Sequence, residues 1–379
     1  MSVFGCIEPF EIKNEINSLE SLLVIETTLT DEMKAQMIIL SQSTSFLQGT
    51  SVPEYGATVS IDTDFGETFD FTEQTSGQYV SDQDFRAEEG VGYQMRITRS
   101  NGDMYESDVV LLQGKSKIDS VYAERIINGT GEEGIGIFID SEESSVSNRF
   151  FRYSYEETYK IIAPNWDPFG FNVFTNDSGE RGFNVLAREE EQLICYNTLQ
   201  SSTIIQADTE DITHSNLSGF RVRFIDRSNF IIGHRYSILV KQVLQTPEAS
   251  EFYRLLENFS ASESVFTNAQ PGFINGNISA VDTDQPTLGY FNVVSISEKR
   301  LFFNYEDFFP DEPLPPYPFE CTVYTPSILA IEDILNNRVS YVGDNENPEE
   351  GQLPYFVTSR PCGDCTALGS NIVPDFWIE

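Results

Sequence analysis

Tyr93–Leu112 reads YQMRITRSNGDMYESDVVLL and has the pattern of a β-hairpin. Apolar and polar residues alternate from Tyr93 to Ile97, as they do on a strand with one buried face. Asn101-Gly102 follows as a strong two-residue turn signal, because both positions tolerate a positive φ. Residues 105–112 supply the return strand, so the sequence predicts an antiparallel pair here.

Short apolar runs of the same kind precede this hairpin, with a turn signal about every eight to twelve residues. They are Leu22–Ile25, Met37–Leu40, Ala57–Ile61, Thr68–Phe71 and Gly77–Val80. Several short strands at this spacing are typical of a small β-sandwich. We therefore predict an N-terminal sandwich over residues 20–114. Residues 1–19 contain a proline and show no sustained period, which favours a tether.

The region after Gly114–Lys117 is also rich in β-type patterns, and we assign residues 115–379 to one larger domain. Aromatic and polar residues alternate over 153–161, which indicates a strand with one aromatic face. Thr246-Pro247-Glu248 has the signals of a helix start, and a helix is predicted over 247–259. Thr325-Pro326 is a weaker start signal for a second helix. The fold class we predict is mainly β: an N-terminal immunoglobulin- or transthyretin-like β-sandwich, then a larger β-rich domain with one or two inserted helices.

The composition limits the classes of function. The chain has 379 residues, of which 60 are acidic and 23 basic, so its formal charge is −37. The field of this charge repels nucleic acid, and no nucleic-acid partner is expected. A hydrophobic fraction of 40% with 13% aromatic residues is too high for a disordered acidic tail. Only two histidines, His214 and His234, are present to serve in catalysis or metal binding.

Candidate sites for metal binding or catalysis are few. Asp62–Glu67 resembles the start of a calcium loop, but its glycine comes one residue early and its fifth ligand is missing. A solvated hairpin turn is the favoured interpretation, while loose calcium binding by acidic clusters elsewhere stays open. Glu156 and Glu157 are adjacent on a strand and point to opposite faces, so they cannot share a substrate. His214 lies among polar residues that favour a surface loop. We predict no catalytic, cofactor or metal site, and no enzyme.

The N-terminus has features of a bacterial lipoprotein processing site. Val3 stands three residues before Cys6 and Gly5 directly before it, as such a site prefers, although Phe4 is bulkier than the usual occupant. Cys6 is therefore a candidate for lipidation; the alternative is an accidental cysteine near a chain terminus. The residues before Cys6 form no complete secretory signal, so this interpretation expects the signal to be missing from the sequence. No run approaches the roughly eighteen apolar residues of a membrane helix.

The cysteine count agrees with a lipidated Cys6. An exported chain with five cysteines has one left over, and a lipid on Cys6 would account for it. Cys362 and Cys365 can close a tight loop, which leaves Cys195 to pair with Cys321. We favour these two structural disulfides. A zinc site, a thioredoxin-type redox pair and four free thiols are the alternatives.

Segments along the whole chain resemble one known family in their order. They are Cys6 with Glu8-Pro9-Phe10, Leu23–Glu26, Leu29–Glu32, Arg152-Tyr153, Glu156–Tyr159, Cys195-Tyr196, Tyr236-Ser237, Gln242, Phe252-Tyr253, Gln270-Pro271, Gly276–Ile278, Leu288–Phe291, Pro361–Thr366, Gly369–Asn371 and Pro374–Trp377. In this arrangement the chain resembles a family of Bacteroidota outer-membrane lipoproteins catalogued as domain of unknown function 4249. It departs from that family in the missing signal and in the aromatic residue at position 4.

The resemblance implies export, a lipid anchor on Cys6 in the outer membrane and association with a TonB-dependent transporter at the cell surface. Glu8 and Glu11 resemble the acidic residues that mark such lipoproteins for the outer face, although a plain surface tether explains them as well. The resemblance supplies neither a catalytic residue nor a ligand. We therefore expect a non-catalytic accessory or binding partner of a transporter. The alternative is a structural or adhesive surface protein without a transporter.

Overall fold

The computed structural model describes residues 22–43, 51–141, 150–208, 217–261, 274, 276–283 and 285–379. The chain is mainly β, as predicted, with 49% of its residues in strands and 10% in helices. Cys6, Glu8, Glu11 and His214 lie outside the described residues. Among the helices of the described part, none has the length and apolar character needed to span a bilayer.

The elements follow in chain order. The strands of the first half are β1 (Leu23–Thr30), β2 (Met37–Gln42), β3 (Val52–Pro53), β4 (Thr58–Thr63), β5 (Thr68–Thr75), β6 (Gln78–Ser81), β7 (Gly92–Thr98), β8 (Met104–Ser107), β9 (Val110–Leu111), β10 (Ile118–Ile127), β11 (Glu133–Ser141) and β12 (Phe150–Ile162). Those of the second half are β13 (Phe169–Thr175), β14 (Arg181–Ala187), β15 (Ile194–Gln200), β16 (Ile205–Asp208), β17 (Phe220–Asp226), β18 (Arg235–Gln245), β19 (Ile278–Ala280), β20 (Thr287–Gly289), β21 (Asn292–Val294), β22 (Ile296–Asn304), β23 (Val339–Asp344) and β24 (Tyr355–Ser359). The α-helices are α1 (Pro247–Ala261), α2 (Ile331–Leu335) and α3 (Arg360–Gly363).

The N-terminal strands form one hydrogen-bonded sheet in the order β19-β8-β7-β4-β5-β6-β2-β1-β20, with β3, β9 and β21 attached at its sides. The predicted hairpin is β7–β8, and Gly102 in its turn has φ +95°, a conformation that glycine adopts without strain. Alternate residues of these strands are buried in one core, which contains Leu23, Ile25, Ile38, Leu40, Val59, Ile61, Tyr79, Met95, Ile97 and Tyr105. The immunoglobulin- or transthyretin-like arrangement stays a prediction.

Three strands of this sheet come from residues 278–294, far along the chain in the predicted larger domain. β20 and β21 pair with β1 in parallel, and β19 pairs with β8. The side chain of Asn277 holds the returning segment in place. Its Nδ2 donates to the carbonyl O of Phe291 at 2.9 Å, and the backbone N of Phe291 donates to its Oδ1 at 2.8 Å. A Cβ on Gly276 would lie 1.7 Å from the carbonyl O of Gly289, so the two backbones are in direct contact there.

The following region contains a five-stranded sheet, β15-β12-β18-β22 with β16 beside β12, and a three-stranded sheet, β10-β11-β17. Residues of both sheets belong to one core, which includes Ile135, Ile137, Ile139, Phe151, Tyr153, Tyr155, Tyr159, Ile161, Val222, Ile225, Tyr236, Ile238, Val240 and Phe303. The aromatic face predicted over 153–161 is the core face of β12, and the opposite face of the sheet carries polar side chains such as Glu156 and Lys160.

Helix α1 begins as predicted and extends two residues beyond the predicted end. The Oγ1 of Thr246 accepts a hydrogen bond from the backbone N of Ala249 at 3.0 Å, which satisfies one of the free donors of the first turn. The helix lies against β12, where the guanidinium of Arg152 is 4.2 Å from the ring centre of Tyr253. The second predicted helix starts later than Thr325-Pro326, with a 3₁₀ turn capped by Ser327 that leads into α2.

The C-terminal part forms a small unit and a strap. The hairpin β13–β14, the pair β23–β24 and α2 share a core around Ile334 and Val357. Residues 364–379, here called the C-terminal strap, lie along the outer face of the five-stranded sheet. Trp377 packs there against Tyr196 and Phe302, with ring centres 4.8 and 5.8 Å apart.

Candidate binding groove and the predicted site residues

An open groove of about 540 Å³ lies at one end of the N-terminal sheet, where three loops meet. The loops connect β1 to β2, β4 to β5 and β6 to β7. Its apolar surface is made by Met33, Phe65, Phe69, Phe85, Val91 and Tyr93. Its polar rim is made by Glu67, Asp84, Arg86 and Glu88. We call this site the loop-end groove.

The aromatic floor of the loop-end groove is packed into the sheet. The rings of Phe69 and Phe85 are stacked, with centres 3.9 Å apart and planes 5° apart. Phe71 meets Phe85 edge-on at 6.2 Å. Phe85 is 4% exposed, so it fixes the height of the floor while the outer side of Phe69 stays open. This arrangement gives the groove a shape that exists before anything binds.

Gln36 ties two of the three loops together. Its Nε2 donates to the carbonyl O of Phe85 at 2.8 Å and to that of Glu32 at 3.0 Å. Its Oε1 accepts from the backbone N of Thr30 at 3.3 Å. Because Gln36 is buried, these bonds are shielded from water and hold the loops in one relative position.

Tyr93 ties down the third side of the groove. Its hydroxyl accepts from the backbone N of Glu88 at 2.9 Å and donates to the carbonyl O of Arg86 at 3.4 Å. Burial raises the pKa of this phenol, and the negative charges of Glu88, Glu67 and Asp64 raise it further. The potential around the ring is therefore negative.

Two large apolar side chains stand out at the mouth of the groove. Phe65 is 75% exposed and Met33 is 60% exposed. Exposed apolar side chains grouped around a concave site with a polar rim are typical of interaction sites. The loop-end groove offers aromatic faces, a flexible thioether and carboxylates. These groups suit binding, and they bind cations and apolar side chains better than anions.

The four described cysteines form two disulfides, but the predicted pairing is wrong. Cys195 is bonded to Cys365 and Cys321 to Cys362, with Cα atoms 5.6 and 5.4 Å apart. Cys362 ends the single turn α3, whereas Cys365 begins the next turn, and the extended residue Asp364 separates the two. The two sulfurs therefore face different partners, and the Cys362–Cys365 loop does not close on itself.

Asp62–Glu67 forms the turn of the hairpin β4–β5, which confirms the interpretation as a hairpin turn. The Oδ2 of Asp62 is 2.5 Å from Nη1 of Arg96, so this carboxylate is already neutralised. Within the described ranges, no group of three or more His, Cys, Asp or Glu side chains is arranged to hold a metal ion. His234 is half-buried, and burial and the charge of Lys160 lower its pKa.

Glu156 and Glu157 lie on opposite faces of β12, as predicted. Glu156 faces outward and its Oε1 is 3.1 Å from Nη2 of Arg300. Glu157 is buried in the core, where it accepts from the hydroxyl of Tyr236 at 2.6 Å and from Nε of Arg223 at 3.2 Å. Burial by itself would lower the pKa of Arg223, but the charge of Glu157 leaves it raised. Both carboxylates serve as partners of arginines.

Two aromatic loops considered from the sequence are mainly packed against the fold. Trp166 packs on the core of the larger region, and the hydroxyl of Tyr317 donates to the carbonyl O of Ile162 at 2.8 Å. Phe169 and Leu314 remain about half exposed. The sequence analysis missed the loop-end groove, although Phe65 between Asp64 and Gly66 was a usable signal: a large apolar residue at the tip of a turn.

Three solved structures were compared with the chain. A DUF4785 family protein from Legionella pneumophila is 9% identical, with 58% of this chain and 52% of that chain covered and a TM-score of 0.18. Trypsin-activated alpha-2-macroglobulin from Escherichia coli is 8% identical, with 61% and 15% covered and a TM-score of 0.18. The Yersinia pseudotuberculosis adhesin InvE is 13% identical, with 60% and 56% covered and a TM-score of 0.16. In each case less than two thirds of the other protein is matched, and TM-scores of this size support no argument about function.

Sequence comparison gives a clearer result. A search of the curated proteins finds no match. The profile of a family described as "Domain of unknown function (DUF4249)" matches residues 7–300, which is most of the chain. This agrees with the resemblance noted from the sequence segments. The chain therefore belongs to the DUF4249 family.

Proposed function

We propose that this chain is a non-catalytic lipoprotein of the outer membrane. In this proposal it is anchored by a lipid on Cys6, faces the cell surface and acts as the accessory or binding partner of a TonB-dependent transporter. The observation that carries the proposal is the loop-end groove, a preformed apolar surface that displays Phe65 and Met33 to solvent. Membership of the DUF4249 family supports it, through the properties that the resemblance implies.

Anchoring would strengthen any contact made by the groove. Residues 7–19 number thirteen, and an extended chain of that length spans at most about 45 Å. A folded body held this close to the bilayer meets a co-anchored partner at high effective concentration. Even a modest interface is then occupied. The groove therefore does not need to bury a large area to work at the membrane.

The anchor is tested by lipidation. A chain with its upstream signal restored is expected to enter the membrane fraction and to incorporate labelled fatty acid. Cys6→Ala is expected to be unlabelled and released from the membrane, because the thioether forms on that sulfur. Radiolabel on the gel band and fractionation of the cell are the measurements. An unlabelled wild-type chain would show that Cys6 is not a lipid attachment site.

The partner is tested by affinity purification from gently solubilised outer membranes. The wild-type chain is expected to recover one TonB-dependent transporter in near-stoichiometric amount. Cys6→Ala is expected to recover much less, because it loses the effective concentration that anchoring provides. Recovery of the chain alone in several detergents, with no uptake defect on deletion of the gene, would rule out the transporter partnership and favour an adhesive role.

A further inference from the structure

We infer that the loop-end groove receives a basic, partly apolar segment of a partner polypeptide. A lysine or arginine side chain of that segment lies against the exposed aromatic rings and the rim carboxylates, and its apolar neighbour lies against Met33. The inference rests on the proposed function as a binding protein and names the chemistry of the partner. Charge, aromatic geometry and groove size each support it.

The charge of the rim favours a cationic occupant. Among the described residues that line the groove, three are carboxylates and one is a guanidinium. That guanidinium, on Arg86, is 3.7 Å from a carboxylate oxygen of Glu88, and both side chains are more than half exposed. A pair this loose and hydrated can be opened by an incoming cation. The chain's formal charge of −37 adds a field that attracts basic segments and repels acidic ones.

The aromatic rings provide the second attraction. The face of an aromatic ring carries negative electrostatic potential, and it binds ammonium and guanidinium groups placed over it. The chain uses this contact within its own fold: Arg300 lies 3.5 Å from the ring centre of Phe376, and Arg152 lies 4.2 Å from that of Tyr253. In the groove, Phe65 and the open side of Phe69 present such faces without an arginine of the chain over them.

The size and the apolar lining favour a polypeptide segment over a small ion. About 540 Å³ is the volume of a site that takes several side chains or a drug-sized molecule. Met33 and Val91 offer apolar contacts that a small cation would leave unused. The thioether of Met33 adapts its shape to different neighbours, which suits side chains that vary along a segment.

Direct binding of labelled peptides to the full chain carrying Cys6→Ala tests the inference. The probe is a decapeptide that alternates lysine and leucine, measured by fluorescence anisotropy. Its comparison peptides alternate glutamate with leucine and lysine with serine. The lysine–leucine peptide is expected to bind at least about tenfold more tightly than either, since each lacks one of the two matching chemistries. Equal binding of the glutamate–leucine peptide would overturn the charge argument.

Variants of the groove separate specific binding from general attraction to an acidic protein. Phe65→Ser is expected to weaken the lysine–leucine peptide about tenfold, as the loss of one aromatic anchor does. Leu329→Ser is its matched control: Leu329 is 91% exposed and lies outside the groove, so no change is expected. If both variants bind as the wild type does, the groove is not the site.

Paired charge reversals complete the test. Asp84→Lys with Glu88→Lys is expected to weaken the lysine–leucine peptide about tenfold. Glu346→Lys with Glu350→Lys changes the net charge by the same amount far along the chain and is expected to leave affinity nearly unchanged. Equal loss in both pairs would mean that only the general field acts, which overturns the inference.

Failure of this inference is distinguishable from failure of the proposed function. If Phe65→Ser still recovers the transporter and the peptides do not bind, the partner docks elsewhere and the inference is overturned, while the proposed function stands. If the peptides bind in the groove and no transporter is recovered, the groove chemistry is supported and the transporter partnership fails.

Discussion

The double variant Cys195→Ala/Cys365→Ala is expected to lose about 4–5 kcal/mol of unfolding free energy, because its disulfide closes a very long loop. The bonded residues are 170 positions apart, so the bond removes much of the chain entropy of the unfolded state. Both cysteines are fully buried, and removing them together leaves no unpaired thiol. Equilibrium unfolding in guanidinium chloride, with the other disulfide oxidised, measures the loss.

The second disulfide is the internal control. Cys321 and Cys362 are 41 positions apart, so Cys321→Ala/Cys362→Ala is expected to lose about 3–4 kcal/mol, less than the longer loop. Only the first variant frees the C-terminal strap from β15, and quenching by iodide is expected to reach Trp377 more easily in it. A larger loss from the shorter loop would contradict the entropic argument. A peptide that links Cys362 to Cys365 in the unreduced protein would contradict the pairing.

Elements with a local cause could be predicted from the sequence. The hairpin β7–β8 depends on alternation and on Gly102, and both are properties of neighbouring residues. The start of α1 depends on Thr246, whose hydroxyl caps the first turn. The predicted N-terminal strands agree with the observed ones to within a few residues for the same reason. Short-range patterns of this kind need no knowledge of the rest of the fold.

Features that depend on distant parts of the chain could not be predicted. The return of residues 278–294 to the N-terminal sheet requires contacts such as that of Asn277 with Phe291, which spacing does not reveal. The disulfide pairing depends on the direction of two successive turns near Asp364, and proximity in sequence was misleading. The loop-end groove arises where three separate loops meet, so only its individual residues are visible in the sequence.

The segments that resemble the family explain themselves as structural parts. Asn277 and Gly276 form the contact between the returning segment and the rest of the sheet. Asp31 accepts from the backbone N of Ile296 at 3.0 Å and joins β1 to the start of β22. The residues of the groove are outside these segments, except Glu32's neighbour Met33. Shared residues therefore maintain the fold, and we expect the binding surface to be the part that differs between members.

The largest effect of a single substitution is expected at Glu157. Glu157→Ala leaves the guanidinium of Arg223 without its carboxylate and the fully buried hydroxyl of Tyr236 without its acceptor. Burial raises the pKa of Tyr236 well above the usual range, so the phenol stays protonated and cannot neutralise the arginine by ionising. Breaking a buried ion pair from one side costs about 3–5 kcal/mol, because the remaining charge is uncompensated.

The neighbouring residue provides the matched control for this prediction. Glu156→Ala removes a carboxylate from the same strand but from the outer face, where its pair with Arg300 is partly hydrated, and about 0–1 kcal/mol is expected. Glu157→Leu combined with Arg223→Leu is expected to recover most of the loss, since no buried charge remains. Urea unfolding of the four proteins measures these differences. Equal losses for Glu156→Ala and Glu157→Ala would show that the buried pair has no special role in stability, and a double variant no better than Glu157→Ala would show that the loss comes from packing and not from the uncompensated charge.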